Sequence, residues 1–186
     1  KGEKFKEVIN LNIGAGRQPI PGFHSLDVYT PYYYPNKSAF LKDRVEYDMR
    51  RDLIPYPSDS VSNIYVSHVL EHVETSAVTT FFGEAFRVLR EGGVLRIATP
   101  DARFLFDVSQ FDNEYWAWRK PKLENQDVDA SPGRRITQYD YLLRETATPK
   151  CQWYENKINN LVLTETDLKG VDYLHFKALV REDLSF

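Results

Sequence analysis

Two glycines and an acid are the residues of this chain best suited to chemistry. The apolar run Val8-Ile9-Asn10-Leu11-Asn12-Ile13 stops at Gly14-Ala15-Gly16, and an acid follows at Asp27. Glycines at such a stop let the backbone turn sharply and let a ligand reach amide groups that a Cβ would shield. Asp27 lies near the end of a second run, Gly22-Phe23-His24-Ser25-Leu26-Asp27-Val28, where a carboxylate can accept hydrogen bonds from two ribose hydroxyls. A dinucleotide fingerprint would need a third glycine and a helix. Arg17-Gln18-Pro19-Ile20-Pro21-Gly22 instead carries two prolines, which leaves no helix N-terminus for a pyrophosphate. The pattern points to a nucleoside without phosphates.

A second cluster, His68-Val69-Leu70-Glu71-His72, spells H-x-x-E-H. That is the spacing of inverted zinc metalloproteases, where two histidines one helical turn apart bind zinc and the glutamate acts as base. Glu145 or Glu155 could be offered as a third ligand. Against this, His68 follows four strand-like residues, so the helix would have to begin almost at the first ligand. No metal is expected, and zinc hydrolysis is kept as the lesser alternative. For His68 itself the plain reading is a strand-end residue that shapes a pocket, and the functional one is a general base with a near-neutral pKa. His72 reads as structural.

The elements that must position these residues follow from patterning. A run that is apolar on both faces suits a strand buried in a parallel sheet. Val45-Glu46-Tyr47-Asp48 is a short strand, Arg51 to Val61 a proline-punctuated loop, and Ser62 to Ser67 the next strand. From Glu71, Val73, Ala77, Phe81, Ala85 and Leu89 recur at helical spacing, with Val78, Phe82 and Phe86 beside them. Arg87 and Arg90 fall in the last turn of that helix, Gly92-Gly93 is expected to end it, and Val94 to Ala98 forms a fifth strand stopping at Thr99-Pro100-Asp101.

N-I-G-A-G, the acid at Asp27, D-L-I-P-Y-P-S-D-S-V, S-H-V-L-E-H-V and F-R-V-L-R-E-G-G-V-L-R-I-A-T-P-D, in this order, resemble a class I S-adenosylmethionine-dependent methyltransferase over roughly Val8 to Gln110. The compact bacterial branch with an abbreviated first helix is the nearest likeness. The resemblance implies an α/β fold, a doubly wound and mostly parallel Rossmann-like sheet, with S-adenosylmethionine across the carboxyl ends of the first strands. It implies cofactor contacts at Gly14, Ala15 and Gly16, ribose binding by Asp27, and adenine beside Asp52 and Leu53. Ser67 and His68 would lie near the sulfonium and the incoming substrate. Asn12 departs from the pattern, since many relatives carry there an acid that helps hold the methionyl amine. For Asp27 and Asp52 the plainer reading is that of turn-forming acids at strand ends.

Methyl transfer is mainly in-line positioning of a nucleophile, with a base when that nucleophile is a hydroxyl. His68 and Asp101, both at strand ends, are the candidate bases. No N-P-P-Y follows the fourth strand and no basic stripe is present, so nucleic acid is not expected as a partner. The expected acceptor is a hydroxyl or amine of a small molecule or saccharide. A nonenzymatic cofactor-binding or partner protein on the same fold is the alternative.

Composition agrees with one globular domain: 186 residues, 42% hydrophobic, 27% charged. A net charge of −3 gives no general attraction to phosphate backbones. No apolar stretch is long enough to span a bilayer, no secretory signal is evident, and Cys151 is the single cysteine. These features point to the cytoplasm and away from membranes. The start at Lys1 without a methionine reads as a trimmed terminus.

Residues 1–110 are expected to form the cofactor core and 111–186 a C-terminal region. Within the latter, Arg119 to Arg135 reads as a loop or lid, Gln138 to Thr146 as a helix and Ile158 to Leu163 as a strand, with Thr164 and Thr166 as caps before a helical Tyr173 to Leu184. Tyr115, Trp116 and Trp118 are core or homodimer-contact residues before they are substrate wall. Tyr32-Tyr33-Tyr34 reads as a locally packed loop that could cover the ligand, and Arg134-Arg135 as a solvated pair with a lesser claim on an anionic substrate.

Overall fold

The computed structural model describes residues 8–31, 34–111, 114–118, 137–146 and 165–180. The expected lid over 119–135, with Arg134 and Arg135, lies outside the described residues, as do Tyr32, Tyr33, Cys151, Glu155, Thr164 and the expected strand Ile158 to Leu163. The chain divides into two compact units, Lys1–Thr99 and Pro100–Phe186.

The first unit is built on a five-stranded sheet: β1 (Ile9–Ile13), β2 (His24–Asp27), β3 (Arg44–Glu46), β4 (Val61–Ser67) and β5 (Leu89–Ala98). Every pairing is parallel and the order is β3-β2-β1-β4-β5. The chain thus winds outward from β1 in one direction, then returns to its other side with β4, which makes the β1/β4 boundary the topological switch point. This is the expected doubly wound α/β sheet. Residues 14–23 join β1 to β2 without a helix, as Pro19 and Pro21 dictate.

β1 is central, and Leu11, Asn12 and Ile13 are all buried. Leu11, Ile13, Leu26, Ile64 and Val66 pack in one core with Ala77, Phe81, Ala85 and Val88 of α2 (Thr75–Val88). Their steps of four and three place them on one helical face. Each aliphatic or aromatic side chain fully buried there contributes about 1.5 to 3 kcal/mol. A short α1 (Lys37–Phe40), capped by the Asn36 side chain on the Ala39 N–H, precedes β3.

The second helix departs from the sequence reading at both ends. Leu70–His72 is a 3-10 turn, and α2 begins only at Thr75. It stops at Val88, and Leu89 opens β5 directly, so Arg90 lies in the strand and Gly92-Gly93 does not end the helix. The glycines serve a β-bulge instead: Leu89 pairs with Val61, but the next matched pair is Asn63 with Val94. Gly92 adopts φ +72°, and a Cβ on Gly93 would meet the Arg90 carbonyl at 2.8 Å. The glycines do mark a break, within the strand rather than after the helix.

The sequence reading draws the internal division after Gln110, yet α3 (Ala102–Phe111) packs with the second unit and moves the division to Thr99 and Pro100. Leu105 and Phe106 of α3 join Leu142 and Leu143 of α4 (Gln138–Thr146), Leu168 of α5 (Glu165–Leu168) and Phe176 of α6 (Tyr173–Val180). Trp116 is buried in this core, stacked on Tyr141 with centroids 5.3 Å apart, and its Nε1–H donates to Ser109 Oγ. Tyr115 and Trp118 stay more exposed. Gln110 ties α3 to the turn after α5, donating to the Leu168 carbonyl and accepting from the Gly170 N–H. Among the described residues no helix is long and apolar enough to cross a membrane.

Candidate functional site

At the carboxyl end of β1 the chain turns through Gly14 and Gly16, at φ +69° and +52°. The two glycines answer different needs. A Cβ on Gly14 would collide with Val69, whereas one on Gly16 would meet nothing within 4 Å. Gly14 also donates its N–H to the Leu26 carbonyl, and the buried Asn12 donates from Nδ2 to the Gln18 carbonyl, so both ends of the turn are fastened to the sheet. Ala15 is buried.

Gly16 faces β2. Its N–H donates to Asp27 Oδ2 at 2.7 Å, and the Val28 N–H donates to Oδ1 at 2.8 Å. Tyr34 and Arg44 complete this cluster. The Tyr34 hydroxyl donates to the Gly16 carbonyl and lies 3.4 Å from Asp27 Oδ2, and Arg44 Nη2 donates to the same carbonyl at 3.2 Å. Burial pushes the Asp27 carboxyl above its ordinary range, opposed by the N–H groups of Gly16 and Val28, the Tyr34 hydroxyl and the Arg44 charge. The two N–H groups leave acceptor positions on the carboxylate, which offers about four lone-pair sites.

Next along the strand ends, the Asp27 carbonyl accepts from the Tyr47 N–H, leading to Asp48 and Asp52. Asp52 Oδ2 accepts from the Asp48 N–H, and the Asp52 N–H donates to the Asp48 carbonyl, closing a tight loop. Asp48 is buried, with Arg50 donating to both its oxygens at 3.0 Å and Arg51 Nη2 at 2.8 Å. Burial alone would raise its carboxyl; the Arg50 hydrogen bonds and both charges outweigh that and lower it. Beside this loop Leu53 is 65% exposed, an apolar side chain available to a flat ring. The loop is anchored to α2: Glu84 Oε2 accepts from the Ile54 N–H, and Arg87 donates to the Ile54 and Tyr56 carbonyls.

On the other side of β1, Ser67 ends β4 opposite Ala98, and the His68 N–H donates to the Ala98 carbonyl. His68 takes φ +55°, a left-handed conformation uncommon outside glycine, and its side chain is 60% exposed. Glu71 is buried between the histidines, with His68 Nδ1 at 3.2 Å and His72 Nε2 at 3.8 Å from its Oε1. The left-handed residue and the 3-10 turn mean that H-x-x-E-H is not presented on one α-helical face, which the metalloprotease geometry requires. Among the described residues no three His, Cys, Asp or Glu side chains converge to hold a metal ion.

The first unit therefore joins Val69, Gly14, Gly16, Asp27, Asp48 and Asp52 in one arc along the carboxyl ends of β4, β1, β2 and β3. Asp101 belongs to the second unit, where its Oδ1 accepts from the Phe104 N–H and caps α3. Sequence reasoning missed the parts played by Tyr34, Arg44 and Asp48. Only the Pro-flanked tyrosines gave a signal.

Residues 33–97 match the family model described as a methyltransferase domain. No curated protein matches the chain. The matched stretch runs from the residue before Tyr34 to Ile97 in β5 and so contains Arg44, Asp52, Ser67 and His68, while the glycine turn and Asp27 precede it. Sequence match and parallel sheet agree: residues 33–97 resemble a methyltransferase domain, and the all-parallel sheet they help build is of the Rossmann-like kind.

Proposed function

We propose that the protein binds S-adenosylmethionine along this arc and transfers a methyl group to a hydroxyl or amine of a small molecule or saccharide. The observation that carries the reading is the bond from Gly16 to Asp27 at the carboxyl ends of β1 and β2, which sets a carboxylate beside an open glycine turn. The residues present fit the cofactor. Gly16 leaves space where a side chain would stand, Asp27 keeps acceptor positions for a ribose diol, and Leu53 offers an apolar surface for adenine with Asp52 next to it. Asn12, Gly14 and Ala15 shape the turn from beneath, and Ser67 stands across β1 at the end of β4.

When bound, the cofactor supplies a sulfonium that already activates the methyl group. The chain's own contribution is to bind and orient, and His68 is the candidate to take a proton from an acceptor hydroxyl. Its exposed ring on a left-handed strand end supports that role, since strained residues cluster at functional sites. The acceptor class rests on analogy to the family and on a net charge that attracts no phosphate backbone. A bacterial, cytoplasmic setting and homodimer formation belong to the same reading.

Calorimetry with S-adenosylhomocysteine tests the site. One ligand per chain is expected, with Asp27→Ala weakening it by about 1.5 to 3 kcal/mol as hydrogen bonds to a charged acceptor are lost. Unaltered affinity in that variant would remove Asp27 from the ribose site. Transfer of a labelled methyl group to an identified acceptor separates an enzyme from a binding protein. His68→Gln should slow that transfer about 100-fold while sparing cofactor affinity.

A further inference from the structure

Gly16 has no side chain to wedge it in place, and a Cβ there would meet nothing within 4 Å. Polar contacts hold its two flanking peptide groups. The N–H is spent on Asp27, while the carbonyl accepts from both Tyr34 and Arg44. These two residues also hold each other: the Arg44 guanidinium lies 4.9 Å from the Tyr34 ring centroid. The ring itself is buried, edge-on against the fully buried Phe40 at 4.9 Å. A rigid aromatic platform thus carries a hydroxyl and a cation to the turn that faces Asp27.

We propose that Tyr34 and Arg44 are positioning residues of the nucleoside site, which lock the Gly16 turn and hold the Asp27 carboxylate ready for a ligand's vicinal diol. The proposal rests on the nucleoside reading given above. The charged and titratable groups facing Asp27 are Tyr34 and Arg44, beside the N–H groups of Gly16 and Val28. The Arg44 charge favours the ionised carboxylate against the burial that opposes it, and so does the Tyr34 hydroxyl, whose one proton is shared between the Gly16 carbonyl and Asp27 Oδ2. Removing either should therefore raise the Asp27 midpoint further and make ligand binding fail at a higher pH during acidification. A purely structural role in packing Phe40 would leave that midpoint where it is.

The test follows the Asp27 carboxyl carbon by NMR across pH in the ligand-free protein, alongside calorimetry with S-adenosylhomocysteine, for wild type, Tyr34→Phe, Arg44→Gln and Arg44→Lys. Tyr34→Phe keeps the buried ring, so its fold is expected to hold. Expected are a raised Asp27 midpoint in Tyr34→Phe and Arg44→Gln, near-normal behaviour in Arg44→Lys, and affinity lowered about fivefold or more in the first two. An unmoved midpoint in folded Tyr34→Phe and Arg44→Gln overturns the proposal. Wild type that binds no S-adenosylhomocysteine overturns the nucleoside reading, and the midpoints still decide whether the pair governs Asp27.

Discussion

A Cβ placed on Gly14 would stand 2.1 Å from Cγ2 of Val69. The turn after β1 and the residue after His68 therefore interlock, and Gly14 is a packing requirement of the fold before it is a ligand requirement. Gly14→Val, which the cofactor reading alone would treat as harmless to the fold, should disrupt it. Gly14→Ala is expected to cost about 2 to 4 kcal/mol through left-handed strain and overpacking, with Val69→Ala restoring part of the loss. Gly16→Ala should cost only about 1 to 2 kcal/mol, from backbone strain. Denaturant unfolding of the Gly14/Val69 double-mutant cycle checks this, and strictly additive effects would show that the two residues do not interlock.

His68 holds a left-handed backbone with a bulky side chain, as Asp59 does at the turn before β4. His68→Gly should raise stability by about 0.5 to 1 kcal/mol, the relief of strain being partly offset by the entropy glycine loses on folding. Asp59→Gly should gain less, because aspartate tolerates this region better. Unfolding curves compare the two. A destabilised His68→Gly would mean that the contact with Glu71 outweighs the strain.

The pair Glu84 and Arg87 should set part of the acid sensitivity of the first unit. Arg87's hydrogen bonds to Glu84 hold the Glu84 carboxyl below its ordinary range, with the Ile54 N–H adding to the effect and burial opposing it. A carboxyl with a depressed folded pKa contributes stability that is fully present above the unfolded value, about 4.3, and is lost as pH falls through the folded value. Glu84→Gln should flatten that part of the stability profile between about pH 5 and pH 3. Thermal melts across this window read the difference, and profiles that stay parallel would count against it.

Asn12→Asp restores the acid that the family pattern places on β1, and it should harm the fold. Asn12 is buried, and its Nδ2 donates to the Gln18 carbonyl. A carboxylate would instead face that carbonyl oxygen, at a cost of about 1 to 3 kcal/mol at neutral pH. The deficit should shrink in acid, where a protonated carboxyl can donate again. Equal stability of the two proteins at neutral pH would show that the turn does not depend on this bond.

Runs such as Leu11 to Ile13 and Ile64 to Val66 announce the sheet because buried parallel strands need apolar residues and end where glycine or proline ends them. The α2 to β5 boundary is illegible by the same reasoning, since Gly92 and Gly93 look alike whether they close a helix or open a bulge. Only Val61, which pairs with Leu89, decides between them. The places of the glycine turn and of Asp27 at strand ends can be anticipated from residue type and order, though not the bond that joins Gly16 to Asp27. The approach of Tyr34 and Arg44 to Gly16 cannot, because it joins residues far apart in sequence with no periodicity to link them. Asp101 reads as a site acid and as a helix cap from the same T-P-D, and the hydrogen bond to Phe104 shows the cap.

The bulge at Gly92 and Gly93 also has a consequence for how this region tolerates change in length. Leu89 and Val94 bracket slack in β5, opposite only the short span from Val61 to Asn63. A residue inserted between Leu89 and Gly92 is expected to enlarge the bulge and leave the register from Val94 to Ala98 untouched. Ala98 would keep receiving the His68 N–H, so a change of length at this junction is expected to leave the edge that bears the site in place.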